Sequence, residues 1–336
     1  MRLMLLAAVS SVALLGAGSA WATGGDNSTV SQSGNGNAAA VDQSTGTNET
    51  STVTQTQDNN SATVNQIGGS SIGNTSTVTQ EQVLDPGTGG ANNAVTVDQF
   101  GANGTSTVVQ DGANNAQVVQ GVGSSGEVAL VYQGGSNNSG GGVSISQSGT
   151  GETGFAIQTG TNNVAQVIQT GINNAPNNKS VIFLQDATAQ HVPASFLINV
   201  GGGSEQTGTG NFSSVTQGGL NDFAGNDAIG NSNTQFIFQG GATVQASAFI
   251  NNVGSSDFSS LTQTGGGGFA GNTQLGNSDS IIVSQTGSSR STVGQGADVT
   301  NLGLQSSATV GANFASANVT QIGDNQNSRI VQLDSA

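Results

Sequence analysis

The 336-residue chain contains no cysteine, one histidine, one tyrosine, one tryptophan, three prolines and only four lysines and arginines. Each shortage removes a class of function. Without cysteine there is no disulfide framework, no thiolate nucleophile and no thiolate zinc site. His191 has no second histidine with which to share a metal or a triad, so it reads as a surface-loop residue beside Pro193. Nineteen acids against four bases give a net charge of −15, the wrong sign for a nucleic-acid partner, which calls for clustered lysine and arginine. Asp42, Asp98, Asp111, Asp186, Asp227 and Asp279 share no single place in the sequence, so they read as solubilising or gatekeeping charge rather than the convergent acids of a polysaccharide-cleaving β-helix. Gly265 to Gly268 lacks the following lysine of a phosphate loop and reads as a flexible turn, and no series of calcium-binding glycine-aspartate repeats occurs. The inventory predicts no enzyme, no catalytic residue, no metal ligand and no cofactor.

Charged residues make up 7% of the chain and aromatics 4%, while glycine occurs 53 times. Such a composition alone suits a disordered chain, because few bulky side chains are present to build a core. Periodicity argues for order. Gln158, Gly160, Asn163, Ala165 and Gln169 form a Q-x-G-x-x-N-x-A-x3-Q unit that Gln32, Gly34, Asn37, Ala39 and Gln43 repeat at identical spacing. Gln206, Gly208, Asn211, Ser213 and Gln217 change only the alanine, and Gln55, Asn60, Ala62 and Gln66 lack only the glycine. From asparagine to the second glutamine every other residue is constrained, the period of a strand with one inward face. The glycine-asparagine stretch before it supplies turn residues that tolerate positive φ. Gly34, Gly160, Gly208 and Gly323 are the expected turn glycines. One strand cannot bury its inner face, but stacked strand-turn units can, so the fold expected is an all-β solenoid of about 22 residues per coil, with its amides laddered as in cross-β.

The spacing resembles the curlin repeat, S-x5-Q-x-G-x-x-N-x-A-x3-Q, of the subunits of curli, the extracellular amyloid fibres of bacteria. Looser copies cover most of residues 26–185 and recur to Gln332. The resemblance implies a secreted, structural and adhesive fibre subunit of biofilm matrix that polymerises with itself. It further implies a nucleator subunit and an outer-membrane secretion channel as partners, and a host or abiotic surface for attachment. The residues that would carry templated stacking are Gln32, Asn37, Gln43, Gln55, Asn60, Gln66, Gln158, Asn163, Gln169, Asn211, Gln217, Gln321 and Gln332. An alternative from another class is a monomeric β-solenoid binding module, ice-binding or adhesin-like. Thr52-Val-Thr54 and Thr77-Val-Thr79 favour it, although threonine does not recur regularly along the chain.

Residues 1–22 carry a basic start, an apolar run and Ala20-Trp-Ala22, the three parts of a secretory signal peptide cleaved after Ala22. Its removal leaves Lys179, Arg290 and Arg329 as the only strong bases. Residues 23–190 are then the curlin-like solenoid, and 191–210 an irregular break or wider coil containing Pro193 and Phe196-Leu-Ile198. Residues 211–336 form a second repeat segment, in which 211–241 aligns without gaps to 257–287 with 15 of 31 positions identical. The phenylalanines of this duplication, Phe212 with Phe258 and Phe223 with Phe269, are expected to stack where the first segment uses alanine and valine.

Overall fold

The computed structural model describes residues 20–22, 24–56, 58–68, 71–81, 92–136, 138–170, 179–184, 206–218, 222–243, 246–266, 268–288, 290–295, 312–313, 316–322 and 327–332. These residues form 26 strands and no helix. Most of the expected leader, 1–19, the insertion at 82–91 and the irregular stretch at 185–205 lie outside them.

Successive strands alternate between two parallel sheets, so each pair of strands completes one coil. The 12-stranded sheet begins with β1 (Ala20–Ala22), β3 (Ala38–Gln43), β5 (Ser61–Gln66), β7 (Ala94–Gln99), β9 (Asn114–Gln120) and β11 (Asn138–Gln147). It continues through β13 (Val164–Gln169), β16 (Phe212–Gln217), β18 (Thr234–Thr243), β20 (Phe258–Gly266), β22 (Ser280–Thr286) and β25 (Ser316–Ile322). The 14-stranded sheet runs from β2 (Asn27–Gln32), β4 (Thr50–Gln55), β6 (Thr75–Glu81) and β8 (Thr105–Asp111) to β10 (Val128–Ser136), β12 (Thr153–Thr161) and β14 (Lys179–Leu184). Beyond these come β17 (Phe223–Asn231), β19 (Ser247–Ser255), β21 (Phe269–Asn277), β23 (Arg290–Gln295) and β26 (Asn327–Gln332). Two short strands, β15 (Gln206–Thr209) and β24 (Ala312–Asn313), sit off this path.

Alternation within each strand dictates what faces inward. In β4, β6 and β13 the burial pattern switches at every residue, with Ser or Ala, then Val, then Gln inside. Register holds identical residues above one another. Val41, Val64, Val97, Val118, Ile145, Val167, Val215, Ile237, Leu261, Val283 and Val319 form one column in the 12-stranded sheet. All eleven are buried, and each aliphatic side chain so placed contributes roughly 1.5–3 kcal/mol of hydrophobic stabilisation. The chain from Gln169 to Gln217 is 48 residues long, yet β13 pairs directly with β16, so the column crosses it without a gap.

Most corners share one feature. At most corners the residue immediately before the corner Asn, Asp or Glu takes positive φ, as Gly36, Asn48, Asn59, Gly126, Asn162, Gly210, Ser256 and Ser278 do. Glycine and asparagine enter this region at little steric expense, and serine is the unexpected occupant.

Candidate functional site

The inward glutamine that closes each strand forms a ladder. In the 12-stranded sheet Gln43, Gln66, Gln99, Gln120, Gln147, Gln169, Gln217, Gln239, Gln263, Gln285 and Gln321 make ten successive side-chain hydrogen bonds of 2.7–3.1 Å. Every Nε2 donates toward the C-terminal neighbour's Oε1, without reversal. The second amide proton of most rungs goes to the carbonyl that opens the preceding strand, as from Gln55 to Ala38, Gln66 to Thr50 and Gln120 to Thr105. One carboxamide thereby ties its coil to the next and its own two sheets to each other. That is how a fully polar column is buried at little penalty, since its donors and acceptors are met.

The 14-stranded sheet carries a shorter ladder through Gln32, Gln55, Gln80, Gln110, Gln133 and Gln158, with bonds of 2.6–2.9 Å. It stops where Leu184 comes into register with Gln158.

Corner asparagines make a second ladder. Asn37 Oδ1 accepts the Asn60 N–H at 2.8 Å, Asn163 accepts from Asn211 at 3.1 Å, and Asn211 accepts from Asn233 at 2.9 Å. The amide of each donates to a nearby carbonyl, from Asn37 to Ser33 and from Asn60 to Thr56, both at 2.9 Å. In some coils an acid takes this corner. Asp257 and Asp279 are buried there, and Glu49, Glu127, Glu152 and Asp222 are buried at the opposite corner, which leads into the 14-stranded sheet. Burial raises the Glu49 carboxyl above its ordinary range, against hydrogen bonds from Ser71 and Asn74 that lower it. Burial pushes Glu127 up to about 7, and burial together with the neighbouring Asp279 charge pushes Asp257 up to about 6.

A family model for the curlin associated repeat matches residues 24–56, which span β2, β3 and β4 with Gln32, Asn37, Gln43 and Gln55. That segment is a curlin associated repeat. No curated protein matches the chain. The curlin repeat and the parallel β-solenoid together support a curli-like structural protein, and the Gln43 rung of the matched segment recurs, in register, to the last strand of the 12-stranded sheet.

Among the curlin-repeat residues singled out from sequence, Asn37, Gln43, Asn60, Gln66, Asn163, Gln169, Asn211, Gln217 and Gln321 lie in the 12-stranded sheet or the corners leading into it, and Gln32, Gln55 and Gln158 in the 14-stranded sheet. Gln332 ends β26 in register with Gln295. Gly34 has positive φ, as a turn glycine should. Gly160 and Gly208 do not form turns: they pair with each other within β12 and β15, and the left-handed conformation falls on Asn162 and Gly210 instead. Gly323 lies outside the described residues.

Three other expectations are corrected. Asp279 is not surface charge; it is buried at a corner directly after Asp257, and Asp111 is buried as well. The phenylalanines stack outside rather than inside. Phe212, Phe236 and Phe258 follow one another on the outer face with ring centroids 5.4 and 6.1 Å apart, and Phe249 lies 6.0 Å from Phe269 in the other sheet. The inner places of those coils hold Ser213, Gln235 and Ser259 with Val215, Ile237 and Leu261. Threonine, irregular along the chain, is regular in space: Thr50, Thr75 and Thr105 share one outward column and Thr52, Thr77 and Thr107 the next.

Proposed function

We propose that the protein is exported and polymerises head to tail as the subunit of an extracellular, amyloid-like fibre of the curli type. The observation that carries this is Gln43. Its carboxamide is fully buried at the N-terminal rung of the longer ladder, and its Oε1 has no hydrogen-bond partner. A second copy would meet it. With its β25 laid on β3 and its β26 on β2, Gln321 would donate to Gln43 and Gln332 would stack on Gln32, which continues both ladders without a change of register. Strand edges that are long, parallel and complementary add copies in an open series.

Cleavage after Ala22 belongs to this reading. β1 lies on β3 with Ala22 opposite Gln43, where it offers no amide, and its removal opens that edge. The curlin repeat supports a structural, extracellular bacterial fibre subunit, and a nucleator subunit, an outer-membrane channel and a role in adhesion and biofilm matrix are part of the same proposal. The test is dilution of residues 23–336 from denaturant, followed by thioflavin T fluorescence and electron microscopy. A lag followed by fibres with a repeat of about 4.8 Å is expected. A stable β-rich monomer that never seeds growth would overturn the reading.

The threonine columns favour a second reading, a flat surface-binding face of the ice-binding or adhesive kind. Hydroxyls repeat about 4.8 Å apart between strands and about 6.7 Å apart along them. Inhibition of ice recrystallisation, lost in Thr52→Lys with Thr77→Lys, checks it.

A further inference from the structure

The corner ladder works because asparagine is two-sided. Its Oδ1 accepts the next corner's N–H, and its Nδ2 donates to a carbonyl: Asn211 reaches Gly230 at 3.0 Å and Asn233 reaches Gly254 at 3.1 Å. At the following coil the corner residue is Asp257. Its N–H donates to Asn233 at 3.0 Å, and its Oδ1 accepts from Asp279 at 3.1 Å, so the backbone half of the ladder is intact. The amide half is not. Oδ2 occupies the place of the amide nitrogen, is buried, and has no hydrogen-bond partner, while Gly276 holds the position in register after Gly254. An ionised carboxylate only accepts; a protonated one gains a single O–H donor, the property that the asparagine amide has there.

Glu127, in the other sheet's corner, also has one oxygen bonded to the next coil and one unpartnered, although its bond goes to Gly149, three residues before the next corner residue Glu152. Oε1 accepts the Gly149 N–H at 2.9 Å, and Oε2 is buried without a partner. Gly104 precedes Glu127 in the column and Glu152, also buried, follows it. The charged group facing Asp257 from the adjoining coil is Asp279, and the one facing Glu127 is Glu152. Lys179 is in register with Thr153, two strands from Val128, and Arg290 is in register with Phe269 in the sheet opposite Asp257's.

We propose that Glu127 and Asp257 are proton-dependent locks of the solenoid, which close their corners as asparagine does when protonated and loosen them when ionised. This concerns the folded coils and goes beyond the fibre reading. The carboxyls titrate near 4 in the unfolded chain, and burial raises them to about 7 and about 6 in the fold. The folded state therefore holds the proton more tightly. Their contribution is fully present below about pH 4 and is lost as pH rises through 6 and 7.

The experiment is guanidinium unfolding of the mature chain, with infrared absorption of the protonated carboxyl, between about pH 4 and pH 8. The folding equilibrium constant is expected to fall by about a hundredfold per carboxyl across that range. Asp257→Asn with Glu127→Gln should abolish most of the fall and the infrared signal near pH 6, whereas Asp42→Asn with Asp58→Asn, which removes equal surface charge, should abolish neither. A pH-independent wild type, or a surface variant that flattens the profile as the corner variant does, would overturn the proposal. Because the readout is unfolding, a chain that forms no fibres at any pH still decides it.

Discussion

A single glutamine in the ladder is held by more than its own burial. Gln120 accepts from Gln99 at 2.7 Å and donates to Gln147 at 3.1 Å and to the Thr105 carbonyl at 3.2 Å. Gln120→Ala opens a cavity and takes the partner from one donor and two acceptors, so a loss of about 2–5 kcal/mol is expected from denaturant midpoints. Gln166, on the outer face of β13, is the control: alanine there should change stability by no more than about 0.5 kcal/mol. The corner position separates amide from acid in the same way. Asn163 is fully buried and accepts the Asn211 N–H. Asn163→Asp should therefore cost about 1–3 kcal/mol above pH 7 and recover near pH 4, where the carboxyl is protonated; an equal loss at both values would mean that packing, not ionisation, sets the effect.

At the scale of the strand, each element touches the strands above and below it and the facing strands of its own and adjoining coils, so damage should stay local. Gln117 points outward from β9, which lies between β7 and β11. Gln117→Pro removes a ladder N–H and clashes with the preceding strand geometry, at about 3 kcal/mol or more. Hydrogen exchange should lose protection in β7, β9 and β11 and keep it in β20 and β22, as expected of a quasi-one-dimensional stack. Strands were the most legible feature of the sequence, because alternation of Ala, Val and Gln with variable residues has no other economical explanation. Which strands become neighbours was hidden. Glutamines one rung apart are separated by 21 residues between Gln99 and Gln120 but by 48 between Gln169 and Gln217, since loops lengthen without disturbing register. For the same reason the threonine columns and the Asp257–Asp279 pair could not be seen from spacing. The outward stacking of Phe212, Phe236 and Phe258 was also missed: period 2 gives the side of a strand, but an aromatic at an outer place looks like a core residue until its neighbours are known.

For the whole molecule, the two ends of the ladder differ. Gln43→Ala removes the unmet acceptor at one end, and in seeded assays it should slow elongation by about tenfold, the equivalent of one lost hydrogen bond, while the seeds themselves stay intact. Eleven carboxamides that all donate in one direction also amount to a row of aligned dipoles along the solenoid axis, oxygen toward Gln43 and N–H toward Gln321. Turning any one of them would set oxygen against oxygen on one side and N–H against N–H on the other, so the row is locked as a unit. The molecule is thereby an electrical vector: in the proposed fibre an approaching copy would meet a negative face at one tip and a positive face at the other, and would be turned the right way round before any strand had paired.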